Sequence, residues 1–402
     1  MSENSQPVTA PGRSVMVDGT EVVLLGTAHV SQQSAEDVRQ ALDESEHEAV
    51  AVELCEPRYQ RLIGTDDWHD VDLFRIVRSG RAGMVAAQLA LSAYQKRLAD
   101  QLGVEVGGEM RAAVEAAEGR ALPVWLIDRN IGVTLRRVVR AVPWYQRWTL
   151  LSGLLASLVA RPQFDEESIE ELKQKDILES TFTEFARQSP ALYEVLISER
   201  DRYMAARLRE ELAARPAKRV LAVVGAGHVS GIAEQLERSP SEDPTREREA
   251  LDIIPPRGKL IRVLPWLVVA VIISGFAIGF SRNPELGWRL VSEWVVINGG
   301  LAALGTAIAR GHPLTIATAF VAAPLTSLNP TIGTGMVTGA VETFLRRPRA
   351  GDFETLREQL ARPRDWWSNR VTRILLVFVF STIGSAIGTY VGGFRILEQL
   401  AG

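Results

Sequence analysis

Four uncharged apolar runs crowd the last third of this chain, and no other feature constrains its fold as tightly. Residues 264–280 are uncharged for 17 residues, 294–309 for 16, 313–341 for 29 and 374–394 for 21. A bilayer span needs ~20 predominantly apolar residues. One such run fits a buried core helix; four in succession read as helices that insert into a membrane. Their Gly, Ser and Thr content suits close helix–helix packing. Asn329-Pro330 interrupts the longest run and leaves two pieces too short for comfortable spans. The expectation for residues 261–402 is a transmembrane domain of three spans plus a re-entrant hairpin near 313–341, which must be shielded by protein.

Arginines set the expected topology. Residues 342–373 hold eight arginines and five acids, and Arg257, Lys259 and Arg262 precede the first run. Both flanks are cytoplasmic by the positive-inside rule. Two crossings and a hairpin then separate them, and the last run crosses once more. Residues 1–14 are polar, lack the apolar core of a signal peptide and are expected to be disordered. The predicted location is therefore the cell membrane, multi-pass, with the large N-terminal part in the cytoplasm.

Composition supports this only after division. Residues 1–256 carry 30 basic and 41 acidic residues, a net of −11, whereas residues 257–402 carry 15 and 8, a net of +7. Together they give the whole chain its −4. The acidic balance excludes a nucleic-acid partner. The lone Cys55 excludes an intramolecular disulfide framework and fits a reducing compartment. No histidine is local to it, so it reads as a small packed hydrophobe.

The first part reads as α/β. Apolar strands are predicted at 22–25, 49–54, 122–127 and 219–224, with helical spacing over 31–44, 84–119 and 165–214 and a short helix from Ser230. Strands alternating with helices imply a mostly parallel sheet with flanking helices. The domain is expected over 15–236. A polar, proline-rich linker follows over 237–260, with one short strand at 250–254. The stretch 142–160 is too short for a span and reads as a buried helix in preference to an interfacial one.

The chemically informative feature is a repeated strand end. Residues 22–31 are VVLLGTAHVS and residues 221–230 are LAVVGAGHVS. In both, four apolar residues lead into G-x-x-H-V-S. The glycine permits a tight exit from the sheet. His29 and His228 then lie at carboxyl ends of strands, the edge where open parallel sheets bind ligands. Glu53 interrupts a wholly apolar strand at the same edge, where a buried carboxylate is costly without a partner. Asp128-Arg129 follows the third strand in the equivalent place. Arg58 lies five residues after Glu53, and Glu109 begins an alanine-rich helix. Two imidazoles and a carboxylate (His29, His228, Glu53) make a ligand set for a divalent transition metal, such as Zn, Mn or Co, with a position left for water. A metal-free site serves equally, with histidine as base and arginine stabilising an oxyanion. Spacing leaves both open. There is no HExxH. The G-x-G-x-x-x-G at 225–231 lacks the following strand that a dinucleotide site needs.

GTAHVS at 26–31, VELCEPR at 52–58, GGEMRAA at 107–113, IDRNIGVT at 127–134, ERDRYMA at 199–205 and VVGAGHVSGI at 223–232 resemble the TraB family. That family includes pheromone-shutdown and GumN-like proteins and, more distantly, the Tiki proteases. The resemblance implies an α/β fold shared with erythromycin-esterase-like and ChaN-like proteins, and a metal-dependent peptidase activity. By motif, His29, His228 and Glu53 are the metal or catalytic residues, supported by Arg58, Glu109, Asp128 and Arg129. Tiki proteins act outside the cell; the expected cytoplasmic placement here separates the two.

Two readings follow. One is a membrane-anchored hydrolase cleaving peptides at the cytoplasmic face. The other is a non-catalytic membrane regulator that sequesters a signalling peptide. The expected partners are the lipid bilayer, a peptide or protein substrate, and a further copy of the chain in a homo-oligomer. Transport by the tail is disfavoured, because Glu293, Arg310 and Glu342 lie only at the edges of its runs.

Overall fold

A computed structural model describes residues 12–27, 32–64, 73–80, 82–86, 89, 107–143, 189–238, 243–256, 259–349, 351–352, 355–356, 359 and 363–401. The chain divides into two compact units: residues 1–66 with 95–256, and residues 67–94 with 257–402.

In chain order the first unit holds β1 (Gly12–Val17), β2 (Thr20–Thr27), α1 (Gln32–Glu44), β3 (Ala49–Val52) and α2 (Glu56–Leu62). After α3 (Leu73–Arg78), which belongs to the second unit, come α4 (Gly108–Gly119), β4 (Val124–Leu126), α5 (Ile131–Ala141) and α6 (Pro190–Tyr193). A π-helical turn (Glu194–Ser198) leads into α7 (Glu199–Ala214), followed by β5 (Arg219–Gly225), α8 (Ala226–Glu237) and α9 (Pro244–Asp252).

The sheet order is β1-β2-β5-β3-β4. All neighbours are parallel except the β1–β2 hairpin. Two positive-φ residues, Asp18 and Gly19, close that hairpin. A turn with positive φ at both central positions matches the natural twist of paired strands. The last strand, β5, lies between β2 and β3, and its residues are wholly buried after Arg219. Successive residues of a strand face opposite sides. Val220, Ala222 and Val224 pack with Met204, Leu208, Val229 and Ile232 of α7 and α8. Leu221 and Val223 pack with Val38, Leu42, Met110 and Ala113 of α1 and α4. The result is a three-layer sandwich, each fully buried Val or Leu contributing about 1.5–3 kcal/mol.

Four differences from the sequence reading stand out. Residues 12–14 begin strand β1, so the polar N-terminus is partly in the sheet; its side chains face outward until Val15, which hides the strand from a hydrophobic pattern. The strand expected at 250–254 is the end of helix α9, started by Asp243, whose side chain accepts the Thr245 N–H, and by Pro244 at the first helical position. The helix expected from Ser230 starts at Ala226, which places His228 in its first turn. Residues 67–94 join the second unit, where Leu73, Val77 and Ala82 pack with Val371 and Ile374. His29 and residues 144–160 lie outside the described residues.

The second unit adds α10 (Lys259–Arg282), α11 (Pro284–Ile308), α12 (Pro313–Thr326), α13 (Thr334–Arg346), a 3-10 turn (Pro363–Trp367) and α14 (Arg370–Ala401). Three helices, within 263–282, 284–308 and 370–401, are long and apolar enough to cross a membrane. Helices α12 and α13, of 14 and 13 residues, are about 20 Å long, short of the ~30 Å hydrocarbon core. They meet at a turn containing Asn329-Pro330. Gly384, Gly388 and Gly392 recur at every fourth position of α14. A Cβ there would strike Leu301, Asn298 and Trp294 of α11 in turn. The two backbones are therefore in contact at Gly384 and Gly388, and the Trp294 ring packs on Gly392. A hydroxyl and amide seam ties the bundle. Asn298 Nδ2 donates to Ser327 and Thr389, Thr334 donates to Ser385 at 2.8 Å, and Thr338 pairs with Ser381 at 2.7 Å.

Candidate functional site

The site lies at the carboxyl edge of the sheet. Strand β3 stops at Val52 because a three-residue turn, Leu54 N–H to Val52 O at 2.7 Å, closes around Glu53. Glu53 is 2% exposed. Its Oε2 accepts the Gly225 N–H at 2.7 Å, which fastens it to the end of β5. Its Oε1 takes Arg200 Nη2. Asp128, just past β4, accepts Arg200 Nε and Nη2, both at 3.0 Å, and the N–H of Arg129. Arg58, in α2, reaches Asp128 at 3.4 Å and the Glu53 carbonyl at 3.3 Å. A single guanidinium, Arg200, thus bridges two buried carboxylates. Burial opposes its charge, but Asp128 and Glu53 outweigh burial and raise its pKa.

His228 completes the cluster. Its Nδ1 lies 2.5 Å from Asp201 Oδ1, and its Nε2 lies 2.9 Å from Arg200 Nη1 and 3.8 Å from Glu53 Oε1. Arg200 only donates, so Nε2 is the acceptor and the proton sits on Nδ1, donated to Asp201. Burial pushes the Asp201 carboxyl up from its usual range, against the pull of His228 and Arg200. A Cβ on Gly231 would lie inside the Asp201 carboxylate. Glycine at that position is what makes room for the His228–Asp201 pair.

Three consecutive residues of α7 serve three directions: Glu199, Arg200 and Asp201. The π-helical turn immediately before them widens the helix. Its Val195 carbonyl accepts Arg129 Nη2 at 3.1 Å. The Arg129 side chain bonds Glu199 and its surroundings in place of the carboxylates of the edge cluster. It is fully buried and donates to Glu199 at 2.8 Å, Thr134 at 3.0 Å and the Leu251 carbonyl at 3.1 Å. Arg137 grips the same Glu199 from both oxygens, at 2.6 and 2.7 Å. Burial raises the Glu199 pKa, but hydrogen bonds from Arg137 and Arg129 overcome it and hold it low. Burial lowers the Arg129 pKa, which Glu199 partly restores.

Of the residues picked out from sequence, the structure gathers Glu53, Arg58, Asp128 and His228. Glu109 is buried in the first turn of α4. Cys55 is a buried thiol at the start of α2. Arg200 and Asp201 lie in the ERDRYMA motif at 199–205 but were not assigned to the site from sequence. The missed signal is that Asp201 shares a helix face with Met204, Ala205, Leu208 and Leu212, an acid on an apolar stripe.

Of the three ligands expected for a divalent ion, His29 lies outside the described residues, and among the described residues no three His, Cys, Asp or Glu side chains converge as a metal group. Two of the expected ligands, Glu53 and His228, share one guanidinium. In this arrangement the pair does not fit a dication, because a cation already lies between them.

Fold and site define an α/β domain with a histidine, carboxylate and arginine edge, joined to a unit of apolar helices. Residues 14–240 match the TraB/PrgY/gumN family, and residues 260–401 match the C-terminal domain of TraB family proteins. The chain is 32% identical to an uncharacterized protein of Methanocaldococcus jannaschii over 386 residues, 93% of this chain and 94% of that one. It is 34% identical to a TraB domain-containing protein of Bos taurus over 240 residues, covering 54% and 63% of the two chains. The human TraB domain-containing protein is 33% identical over 240 residues, with the same coverage. The chain belongs to the TraB/PrgY/gumN family.

Proposed function

We propose that this TraB-family protein is a membrane-associated hydrolase of peptide bonds, with its reaction at the carboxyl edge of the sheet. The observation that carries this reading is the Asp201–His228 hydrogen bond of 2.5 Å. It fixes the imidazole with the Nε2 lone pair facing Arg200 and Glu53. A water that displaces Arg200 Nη1 from Nε2 gives its proton to Nε2 and attacks a carbonyl carbon. Arg200 and Arg58 take up the oxyanion charge, and the proton passes to the leaving amine. Glu53 and Asp128 hold Arg200 in place. A divalent ion at Glu53 and His228 requires Arg200 to leave both, whereas a water requires only Nη1 to leave Nε2, and the metal-free form is favoured for that reason.

The membrane part of the reading rests on the three long apolar helices. It also rests on the arginine-rich residues 342–373, which favour a cytoplasmic face. The catalytic domain then acts at that face.

The test is turnover of unstructured peptides by the purified full-length protein in detergent. His228→Ala is expected to lower the rate by about 10²–10⁴-fold. Asp201→Asn, which no longer fixes the tautomer, should lose a comparable factor. Chelator should leave wild-type turnover unchanged. Full turnover by His228→Ala overturns this edge as the seat of the reaction. Tight peptide binding with no turnover by the wild type favours the sequestering regulator instead.

A further inference from the structure

Two helices of the second unit end on a strained arginine. Arg310 closes α11 with φ +55°, and Arg347 closes α13 with φ +38°. At the end of α11, Arg310 N–H bonds Ala307 O at 2.8 Å and Gly311 N–H bonds Thr306 O at 3.0 Å. That pattern puts arginine at the left-handed position where glycine is unstrained. Strain retained at a particular residue points to a use for its side chain.

The surroundings supply the use. Arg346 Nη2 bonds the Arg310 carbonyl at 3.2 Å, and Arg370 Nη1 lies 3.4 Å from the carbonyls of Arg346 and Arg347. Arg373 senses the charges of Arg346, Arg310 and Arg370. The nearby acid is already engaged: Glu342 is fully buried, pairs with Arg346, and accepts the His312 N–H at 2.9 Å and the Thr315 hydroxyl at 2.6 Å. The exposed side chains of Arg310 and Arg347 have no carboxylate partner among the described residues; Arg347 instead lies over the Phe344 ring. Beside these arginines stand exposed apolar side chains, Ile308 at 55%, Leu314 at 59% and Phe344 at 66%. Trp367 joins the same end by donating its indole N–H to the Ile308 carbonyl at 2.9 Å.

We propose that this end of the helical unit binds the phosphate headgroup of an anionic phospholipid. Arg310 and Arg347 take the phosphate, and the acyl chains lie on Ile308, Leu314 and Phe344. An amphiphile is favoured over free phosphate because Arg347 lies over the exposed Phe344 ring and Arg310 follows the exposed Ile308 by two residues, so that charge adjoins apolar side chains at both helix ends. The inference rests on the membrane reading above.

The experiment measures lipid co-purifying with the full-length protein from nanodiscs of equal phosphatidylglycerol and phosphatidylcholine. Wild type should retain phosphatidylglycerol preferentially. Arg310→Gly and Arg347→Gly suit their positive φ and preserve the helix ends, yet each should lower that preference about fivefold. Equal retention of the two lipids, or undiminished preference in the double variant, overturns the site. Displacement of phosphatidylglycerol by millimolar inorganic phosphate also overturns the lipid, in favour of the free ion. Carbonate extraction of the protein from membranes defeats the membrane reading instead, and is scored on the wild type alone.

Discussion

The two units bury polar groups by opposite means. The first buries charge: Glu53, Asp128, Arg129, Glu199, Asp201 and His228 are all nearly inaccessible, and every one is tied to an ionic or imidazole partner. The second buries dipoles: Asn298, Thr334, Thr338, Ser381 and Ser385 answer one another, with Glu342 as the buried acid among its described residues. A buried ion pair costs several kcal/mol per ion to desolvate and is recovered only through excellent geometry. A hydroxyl pair risks little and returns little. The α/β unit is therefore held in part by paired buried charge, and the helical unit chiefly by backbone approach and neutral hydrogen bonds.

The comparison breaks most visibly at Arg129. Arg129→Ala leaves Glu199 facing Arg137 alone and strips donors from Val195, Leu251 and Thr134. Removing one partner of a buried pair costs about 3–5 kcal/mol. Hydrogen exchange read on α7 and β5 of the full-length protein should show that loss, while α11 and α14 keep their protection. Equal loss in both units would mean that their stabilities are not set separately.

Acid tests the same contrast without mutation. Glu199 has a pKa held below its ordinary 4.5, so its stabilisation is complete above that value and is lost as pH falls through the lowered one. Each charge-assisted hydrogen bond given up there is worth about 1.5–3 kcal/mol. Asp201 carries the opposite sign. Its pKa is raised above 3.8, so its ionised form costs stability at neutral pH, and that cost disappears on protonation. Acidification therefore removes stabilisation at Glu199 and relieves a cost at Asp201. Protection of α7 should fall as pH drops through the lowered Glu199 value, while the hydroxyl seam stays protected throughout. Loss of seam protection over the same range would put both units under one titration.

Close approach gives a smaller and more even effect. Gly231→Ala drives a methyl into the Asp201 carboxylate, and Gly388→Ala places one 2.7 Å from the Asn298 Cα. Overpacking of this kind costs about 1–3 kcal/mol. The consequences should differ in kind. Gly231→Ala displaces Asp201 and so removes turnover together with stability. Gly388→Ala parts α11 from α14 and leaves turnover alone. Retained turnover in Gly231→Ala would detach Asp201 from the chemistry.

These particulars show what was legible in the sequence. Strands at 22–25, 49–54, 122–127 and 219–224 fall on β2, β3, β4 and β5, because central parallel strands are continuous apolar runs. The G-x-x-H repeat pointed to the strand ends that β2 and β5 bring side by side, with Thr27 opposite Gly225. Glu53 stood out because nothing apolar explains it. Arg200 and Asp201 were quoted only within a motif, because α7 is rich in charge and the apolar stripe that singles out Asp201 shows only at helical spacing. The place of residues 67–94 was illegible for another reason: which core a segment joins is a tertiary fact with no local signature. The helix at Pro244–Asp252 carried its Asp-Pro start signal in plain view, but the surrounding prolines and charges argued for a linker.

The smallest expected effect tests the neutral side of the comparison. Thr338 and Ser381 hydroxyls meet at 2.7 Å in the buried seam of α13 and α14. Ser381→Ala deletes one of them but leaves no orphan, because the Thr338 hydroxyl also reaches the Thr334 carbonyl at 3.1 Å. Interhelical hydrogen bonds of this type are worth about 0.6 kcal/mol in apolar surroundings. Thermal unfolding in detergent should therefore shift only slightly, far less than for Arg129→Ala. A loss of several kcal/mol would show that the seam acts as one cooperative network, as dependent on each member as the charged cluster is on Arg129.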